Sequence, residues 1–570
     1  MSIIDTEVVI IGGGPAGLML AIELGCRSVP CVLLEEDVAP PDFPKANATS
    51  SRTMEHYRRR GFAHLVRNVG LPDDHPTDVR YYTRLVRHEL ARFEMPSRTQ
   101  AIQWRDEGDR TRADWATPEL PHRAQQMYIE PILRDQVRRY PSVDLRVGRR
   151  ALSVVDHGAD VIVEHVNPDG GDPQSLRSRY VVGCDGPRSL VRRAMDVTYD
   201  GIGNEQRDFM GGQMLSIYFR SRDLYDVMGG RKAWQYWALN RSQRGVLNAI
   251  NGVDEFLLAV QLATGEDPAH VDCRKAVLEV VGAGHDFELI AAGPWQAGYT
   301  LVAKAFSKGR LFIAGDAAHL FTPTAGMGYN TSVDDAVNLG WKLALVTGGS
   351  APPALLDTYE AERHPIALRN TTFARSMADS IGRIGIPDDI ELDGPSGRVA
   401  REECGERLAR HAAAEYHIPG LQLGLLYEGS PIVAQEDAPP MPDDPNVYVP
   451  TARPGARAPH VSIDGTPLFD QLGRDFTLVA CGPVDADGWR HAARERNLDL
   501  AILTLANPQV RELYGADCIL IRPDHHIAWR GDSDQSPAHI LDLARGAMLP
   551  NAMVGLTPEA ARTDSASVSR

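Results

Sequence analysis

The residues best suited to chemistry near the start of the chain are a group of glycines and one carboxylate. Residues 12–17 read GGGPAG, which fits the spacing G-x-G-x-x-G, between an apolar run at 8–11 and a helical pattern at 18–24. A glycine turn between a strand and a helix presents backbone N–H groups to a phosphate. Glu35 ends the next apolar run, about 20 residues further on, where a carboxylate accepts the ribose hydroxyls. The pattern predicts a dinucleotide site for FAD or NAD(P).

Three glycines of this turn have different predicted structural roles. Gly12 permits the tight turn, Gly14 lets a pyrophosphate approach the backbone, and Gly17 lets the helix pack closely on the sheet. A proline suits the first turn of a helix. The other predicted cofactor contacts of this region are Pro15, Ala16 and Glu36.

Two later stretches place polar residues at the end of an apolar run. Asp185 and Gly186 follow residues 180–183, and Gly315 and Asp316 follow residues 311–314. Ligands of open α/β sheets bind at the carboxyl ends of the strands. A glycine-bearing turn at 323–328 then leads into a long helix, whose N-terminus suits the negative charge of a reduced flavin.

Composition narrows the class of protein. The 570 residues are 43% hydrophobic with a net charge of -16, which opposes binding to nucleic acid or an anionic membrane. Seven cysteines lie scattered without a C-x-x-C pair, so we expect thiols in a reducing compartment and no metal site. The N-terminus enters the first strand directly, and glycines interrupt the run at 8–24. We therefore predict a cytoplasmic protein without a signal peptide or a membrane span.

Residues 210–265 are rich in β-branched and aromatic residues, which predicts a separate antiparallel sheet that could hold a planar substrate. Strand alternation puts Trp234 and Tyr236 on one face and Trp237 on the other, so the three cannot line one wall. The alternative for each of the three side chains is that it fills the hydrophobic core and does not contact the substrate. Gly282, after a helical pattern, is predicted to end that helix. The predicted substrate contacts are Asn47, Gln213, Tyr218, Trp234, Tyr236, Trp237 and Pro323.

Together, the glycine turn with Glu35, the Cys184-Asp185-Gly186 strand end and the run GDAAHLFTPTAGMGYN from Gly315 resemble the class A FAD-dependent aromatic hydroxylases, whose founding member is para-hydroxybenzoate hydroxylase. The resemblance spans residues 5–375. The chain looks most similar to phenol, dichlorophenol and aromatic polyketide hydroxylases, which carry a thioredoxin-like C-terminal extension. Cys481 stands alone here, so the redox motif of thioredoxins is absent and a structural or oligomeric role is expected.

The resemblance implies roles for individual residues. Glu35 would hold the adenosine ribose and Asp316 the ribityl chain, while the backbone of Pro323, Gly326 and Gly328 would position flavin and substrate. Relatives often place a histidine where this chain has Asn47, which cannot take a proton near neutral pH. The resemblance extends the expected cofactor contacts to Lys45, Ala46, Gln126, Asp185, Gly186, Gly315, Asp316, Pro323, Gly328, Tyr329 and Asn330.

The implied fold is α/β, with a Rossmann-like FAD-binding domain interleaved with an antiparallel substrate-binding sheet. The FAD-binding domain would comprise 1–80, 120–200 and 295–375, and the substrate domain 81–119 and 201–294. A helical connector would follow at 376–450, a thioredoxin-like α/β domain at 451–547 and a disordered tail at 548–570.

The implied activity is monooxygenation with bound FAD, NADPH or NADH, and O2. A C4a-hydroperoxyflavin would hydroxylate a phenol, hydroxypyridine or polyketide-derived phenol ortho or para to its hydroxyl group. No acid or base as indispensable as a triad histidine is expected, and His319 is predicted to be structural. The alternatives are epoxidation, ring-opening oxygenation, or a flavin-carrying protein that binds aromatic compounds or confers resistance. A homo-oligomer is expected, whereas the substrate and the choice of NADH or NADPH stay open.

Overall fold

The computed structural model of the protein describes residues 5–107, 116–203, 211–532 and 535–550. Its strands are β1 Thr6–Ile11, β2 Cys31–Glu35, β3 Val79–Tyr82, β4 Glu89–Phe93, β5 Val143–Val147, β6 Arg150–Asp156, β7 Val161–Val166, β8 Gln174–Gly183, β9 Tyr199–Ile202, β10 Gly212–Arg220, β11 Gln235–Leu239, β12 Arg244–Ala249, β13 Glu255–Gln261, β14 Glu288–Ala297, β15 Thr300–Ala303, β16 Ser307–Lys308, β17 Leu311–Ile313, β18 His319–Leu320, β19 Ser462–Ile463, β20 Thr466–Pro467, β21 Phe476–Ala480, β22 Leu500–Thr504, β23 Cys518–Ile521 and β24 Ile527–Gly531.

The α-helices of the same described ranges are α1 Pro15–Gly25, α2 Ser51–Arg59, α3 Ala63–Arg67, α4 Arg98–Asp106, α5 Gln126–Val137, α6 Leu190–Ala194, α7 Leu224–Val227, α8 Cys273–Val281, α9 Met327–Thr347, α10 Asp357–Gly382, α11 Pro395–Tyr416, α12 Pro419–Leu423, α13 Leu468–Gln471, α14 Ala486–Glu495, α15 Pro508–Tyr514 and α16 Pro537–Ala544. None of these helices has the length and apolar character needed to cross a membrane.

An eight-stranded sheet brings the predicted cofactor residues to one edge. Its main order is β16-β17-β8-β1-β2-β5, and β1 pairs in parallel with both β2 and β8, while β8 pairs in parallel with β17. The carboxyl ends of these strands therefore lie side by side, followed by Gly12, Glu35, Cys184 and Ala314. This confirms the predicted Rossmann-like arrangement.

A seven-stranded sheet, in the order β14-β10-β13-β12-β11-β3-β4, forms the second layer. Its ladders are antiparallel except for the parallel pair of β11 with β3. The predicted antiparallel sheet is thus confirmed, and Gly282 ends α8 in the left-handed conformation, as predicted. The predicted boundary at residue 80 needs correction, because it divides β3, all of which belongs to this second sheet.

The last part of the chain forms a separate small sheet in the order β22-β21-β23-β24. Its first two strands are parallel and the others antiparallel, with α14, α15 and α16 between or after them. The predicted connector at 376–450 contains α11, which packs against β4 of the substrate sheet. The predicted tail lies outside the described residues from 551 onwards.

A buried ion pair joins this C-terminal domain to α2. Arg457 donates from Nε to Glu55 Oε2 at 2.9 Å, and Arg52 Nη1 donates to the same oxygen at 2.9 Å. Burial alone raises the pKa of Glu55, but the charge of Arg457, its hydrogen bonds and the charge of Arg52 outweigh burial and lower this pKa to about 2. The carboxylate is therefore strongly favoured in its charged form.

We expect Glu55→Gln to lose stability in a pH-dependent way. A carboxyl whose pKa is lower in the folded state stabilises the fold above the unfolded pKa, so the contribution is full at neutral pH and falls away between about pH 4.5 and 2. At pH 7 the variant should lose about 3–5 kcal/mol, because two arginines remain buried beside a neutral amide. Urea denaturation at several pH values measures the difference.

The matched control is Asp487→Asn, which removes an exposed ion pair with Arg490 and should change the free energy of unfolding by less than about 1 kcal/mol at any pH. A difference between wild type and Glu55→Gln that stays constant down to pH 2 would contradict the assigned role of the charge.

Candidate active site

The glycine turn between β1 and α1 leaves one open position between two crowded ones. Gly12 has φ +104°, and a Cβ there would lie 2.2 Å from the Cys184 oxygen. A Cβ on Gly17 would lie 1.9 Å from the Gly12 oxygen, whereas a Cβ on Gly14 would meet nothing within 4 Å. Gly14 is also the N-cap of α1, with no side chain bonded to the helix end and Pro15 in its first turn. The turn has the free space and the N–H groups that a pyrophosphate needs.

Glu35 lies directly over this turn. Its Oε2 accepts a hydrogen bond from Gly13 N, and its Oε1 accepts one from Asp37 N at 2.8 Å. Glu36 is exposed beside it. The carboxylate of Glu35 therefore lies beside the phosphate turn, as binding of an adenosine ribose requires.

The segment after β2 reaches the start of α5. Gln126 N donates to Ala46 O at 2.8 Å, and the Gln126 side chain donates to Glu130. Lys45 is exposed next to this contact. Residues 45, 46 and 126 are thus brought together at the same sheet edge, although they are far apart in sequence.

The end of β8 uses its carboxylate within the protein. Asp185 Oδ2 accepts from Leu190 N at 2.6 Å at the start of α6, and Gly186 has φ +75°. Burial raises the pKa of Asp185, although hydrogen bonds from Ser189 and Leu190 act in the opposite direction. Asp185 therefore holds the turn that follows β8 in shape.

Asp335, in α9, fixes the turn after β17. Its Oδ2 accepts from Gly315 N at 3.3 Å and lies 2.6 Å from His319 Nε2, while Arg363 Nε donates to its Oδ1 at 2.8 Å. His319 and Arg363 hold the pKa of Asp335 below its usual range, although burial acts to raise it. His319 is fully buried, in agreement with its predicted structural role, whereas Asp316 is exposed.

The turn before α9 is anchored on both sides of an exposed proline. The hydroxyls of Thr322 and Thr324 lie 2.7 Å apart, and both are buried, while Pro323 between them is exposed. Ala325 has φ +60°, and its N–H donates to Glu415 Oε1 of α11 at 2.9 Å. A Cβ on Gly326 would lie 3.0 Å from Ala48 Cβ, and one on Gly328 would lie 3.5 Å from the Phe321 ring.

Asn330 joins this turn to the segment around residue 48. Its Nδ2 donates to Ala48 O and Gly326 O at 2.9 and 2.7 Å, and its Oδ1 accepts from Ser50 N and Thr53 Oγ1 at 2.8 and 2.7 Å. All four hydrogen-bonding positions of the amide are used within the protein, so this side chain holds the turn in place, and a flavin contact of Asn330 stays a prediction. The hydroxyl of Tyr329 contacts that of Tyr57 in α2.

A row of hydrogen-bonded side chains, called the amide row, crosses from the segment after β2 to the seven-stranded sheet. Asn47 Nδ2 donates to Asn248 Oδ1 at 3.0 Å, and Gln235 Nε2 donates to the same oxygen at 2.9 Å. Gln235 Oε1 accepts from Trp237 Nε1 at 2.9 Å and from Tyr416 OH at 2.6 Å. These five side chains place neutral hydrogen-bonding groups at the junction of the two layers.

Two other predicted substrate residues, Tyr218 and Gln213, lie on opposite faces of the seven-stranded sheet. Tyr218 is in register with Asn248 and Gln235 across β10, β13, β12 and β11, and its hydroxyl donates to Glu255 Oε2 at 2.7 Å. Gln213, an odd number of residues from Tyr218 on the same strand, faces the other side. Tyr218 therefore shares the face of the amide row, and Gln213 does not.

The expected grouping of Trp234 with Tyr236 is wrong. Tyr236 is buried on the far face, where its hydroxyl donates to Arg231 O at 2.8 Å. Trp234 precedes the first residue of β11, so strand alternation does not govern it, and its ring meets that of Tyr416 edge to face with centroids 5.9 Å apart. Trp237, together with Gln235, belongs to the face of the amide row.

Sequence reasoning missed the residues that α10, α11 and the middle strands add to this site. Glu415 and Tyr416 come from a region predicted as a connector, and Arg363 from a helix without a motif. Asn248 was detectable, because it is an amide inside the apolar run GVLNAI. The position of the other three depends on packing between distant segments.

The parallel sheet with an open glycine turn beside Glu35, and the anchored turn before α9, form the arrangement predicted for a flavoprotein that binds FAD. The family of FAD binding domains matches residues 5–374, and the family described as aromatic-ring hydroxylase, C-terminal, matches residues 451–550. The chain belongs to the FAD-dependent aromatic-ring hydroxylases, as predicted.

Individual relatives match along nearly the whole length. The FAD-dependent monooxygenase apdD of Emericella nidulans is 30% identical over 93% of this chain and 88% of its own. Aklavinone 12-hydroxylase RdmE of Streptomyces purpurascens is 30% identical over 94% and 97%. The solved structure of the rebeccamycin biosynthetic enzyme RebC with reduced flavin is 31% identical, with a TM-score of 0.83 over 96% of this chain and all of that one.

Alanine at the glycine turn should separate cofactor binding from folding. Gly14→Ala adds a methyl group in open space at φ -75°, at an N-cap where alanine is less favourable than glycine, so the stability of the apoprotein should change by less than about 1 kcal/mol. FAD should bind at least ~10-fold more weakly, because the methyl group would occupy the space predicted for the pyrophosphate. Gly17→Ala should destabilise the apoprotein by about 1–3 kcal/mol or more, because helix and strand must move apart.

Denaturation of the apoproteins and titration with FAD by fluorescence measure the two effects. Equal FAD affinity in Gly14→Ala and wild type would show that the phosphates lie elsewhere.

Proposed function

We propose that this FAD-dependent monooxygenase hydroxylates a ring that already carries a hydroxyl group, in a substrate that binds between the Pro323 turn and the amide row. The proposal rests on the junction between the Pro323 turn and the seven-stranded sheet. Asn47 is next in sequence to Ala48, whose carbonyl accepts from the same Asn330 nitrogen as Gly326 O of the turn, and Asn47 is hydrogen-bonded to Asn248 of the sheet. A planar molecule held there would contact both layers.

The cofactor roles follow the positions of the residues. We assign the pyrophosphate to the turn at Gly12–Gly17 with Lys45 nearby, the adenosine ribose to Glu35, and the ribityl chain to Asp316 and Gln126. The exposed Pro323 and the backbone of Gly326 and Gly328 would face the flavin ring. Bound FAD, reduced by NADPH or NADH, supplies the activation of O2 and the transfer of one oxygen atom.

The protein's own contribution to the reaction would be positioning. Amides donate and accept hydrogen bonds and an indole N–H donates one, but none of these groups ionises near neutral pH. The row of Asn47, Asn248 and Gln235 would orient the substrate hydroxyl so that the carbon ortho or para to it faces the flavin, and solvent would take the phenol proton. Buried aromatic groups such as Trp237 would exclude water from the reacting ring.

RdmE is named as a hydroxylase of aklavinone, and RebC as a rebeccamycin biosynthetic enzyme. These names support a multi-ring product of secondary metabolism as the substrate of this chain. Residence in the cytoplasm and assembly as a homo-oligomer are further proposals, and seven free thiols support a reducing compartment.

The deciding experiment is oxidation of NADH and of NADPH by the FAD-loaded protein with a panel of phenols, hydroxypyridines and multi-ring phenols. We expect at least one multi-ring phenol to accelerate oxidation and to gain one oxygen atom by mass spectrometry. Epoxidation or ring opening would be recognised from the product structure. Acceleration that yields only hydrogen peroxide would show that the panel contains mimics, and no acceleration by any aromatic compound would favour the flavin-carrying binding protein.

Asn47→Leu should uncouple the reaction. Loss of the amide leaves Asn248 with one hydrogen bond fewer and the substrate hydroxyl less well oriented, so kcat/KM should fall about 10-fold or more, and the fraction of reducing equivalents lost as peroxide should rise. Product formed per NAD(P)H consumed is the measurement.

Tyr236→Phe is the matched control, because its hydroxyl lies on the opposite face of the same sheet. It should lower thermal stability and leave coupling unchanged. A loss of coupling in this variant, with Asn47→Leu unaffected, would place the substrate on the other side of the sheet.

A further inference from the structure

A cavity of about 500 Å³ lies beside the amide row, between β4, α4 and the segment after α11. Phe93, Met95 and Trp104 give it apolar surface, and Arg123 and Tyr416 line it as well. Its volume falls within the range of ligand sites and exceeds what one phenol ring fills. The cavity is therefore large enough for part of a multi-ring molecule.

Arg123 differs from the other arginines of this cavity. Arg92 lies 2.6 Å from Asp78 and 2.8 Å from Glu94, and the side chain of Arg98 pairs with that of Asp73. Within the described part of the chain, the side chain of Arg123 has neither a carboxylate nor a hydrogen-bond acceptor assigned to it. Its guanidinium lies over the ring of Trp234, 3.8 Å from the centroid. Among the described residues, the carboxylates that line the cavity, Asp73, Asp78 and Glu94, are paired with Arg98 or Arg92, and none is paired with Arg123.

Burial without a carboxylate beside it lowers the pKa of Arg123 to about 10, with only the Tyr416 hydroxyl acting in the opposite direction. The guanidinium therefore remains charged at neutral pH. A partly buried charge of this kind gains most from an anion that arrives with a ligand, because the cost of removing the arginine from water has already been incurred in folding. Stacking on Trp234 also fixes the plane of the guanidinium, which favours two-point binding of a planar anion.

The C-terminal end of α11 connects this cavity with the reaction site. Tyr416 lines the cavity, and its hydroxyl donates to Gln235 of the amide row at 2.6 Å. Glu415, the preceding residue, accepts from Ala325 N in the turn before α9. Gln422, which also lines the cavity, accepts from Ser51 N near Asn330 and Ala48. The cavity therefore begins where the substrate ring is proposed to lie.

We propose that the cavity is the outer part of the substrate site and that Arg123 binds a carboxylate at the end of the substrate remote from the hydroxylated ring. The inference rests on the proposed function and specifies its substrate class as a hydroxylated, extended aromatic acid. Apolar walls would receive the ring next to the carboxylate, and the guanidinium would form two hydrogen bonds to its oxygens. One arginine without a paired carboxylate, beside the apolar surface of Phe93, Met95 and Trp104, suits an aromatic acid better than a phosphate dianion.

The test compares a hydroxynaphthoic acid with its methyl ester on the FAD-loaded protein. Wild type should bind the acid about 10-fold or more tightly than the ester, and KM should show the same preference while kcat differs little. Arg123→Gln should bring the affinity for the acid to that of the ester and leave the ester unchanged. Arg123→Lys, which keeps the charge without the planar fork, should retain part of the preference.

Arg490→Gln is the matched control, since it makes the same chemical change at an exposed arginine of the C-terminal domain, far along the chain from the residues that line the cavity. It should keep the preference for the acid. Thermal unfolding of each variant shows whether the fold is intact. If Arg123→Gln is destabilised, the reduced preference for the acid is measured on Arg123→Lys instead.

Binding followed by the change in flavin absorbance separates this proposal from the proposed function. Equal affinity of wild type for acid and ester, or an undiminished preference in Arg123→Gln, would overturn the carboxylate site. A preference that depends on Arg123 in binding, with no oxygenated product from any phenol, would support the site and contradict the hydroxylase function.

Discussion

The structure depends on a set of charges buried between α9, α10 and the C-terminal domain. Glu362 forms ion pairs with Arg522 Nη1 at 2.6 Å and with Lys342 Nζ at 2.7 Å. Arg522 Nη2 also forms an ion pair with Asp524 at 2.6 Å. All four side chains are almost fully buried. Burial lowers the pKa of Lys342 to about 8 despite the charge of Glu362, so the group is charged at neutral pH. Removal of one member leaves an uncompensated charge, which costs about 3–5 kcal/mol.

This charge cluster is linked through α9 and α10 to the turn that follows β17. Arg363 follows Glu362 and holds Asp335, which in turn holds Gly315 and His319. The described part of the C-terminal domain therefore supports the turn after β17 through α10, without contributing a residue to that turn. A C-terminal domain that lacks a C-x-x-C motif thus contributes buried ion pairs that stabilise the fold.

Local sequence predicted the elements and the cofactor edge, because a strand, a glycine turn and a helix leave a signature within a short stretch. It predicted the substrate sheet from alternation, yet it assigned Trp234 to the wrong face because this residue precedes the strand. The amide row could not be predicted as a unit. Asn47, Gln235, Asn248 and Tyr416 come from four segments, and only the packing of two sheets and α11 brings them together. The paired and unpaired arginines of the cavity also look identical in sequence.

The parallel pairing of β3 with β11 has a consequence for synthesis of the chain. Residues 79–82 leave the ribosome early, but their hydrogen-bonding neighbours at 235–238 arrive roughly ten seconds or more later at ordinary rates of translation. Until then β3 has an open edge on that side, which is the kind of surface on which chains associate wrongly. Glu362 waits for Arg522 over a similar stretch of 160 residues. A nascent chain of this protein therefore spends much of its synthesis with the seven-stranded sheet and the buried charge cluster incompletely paired.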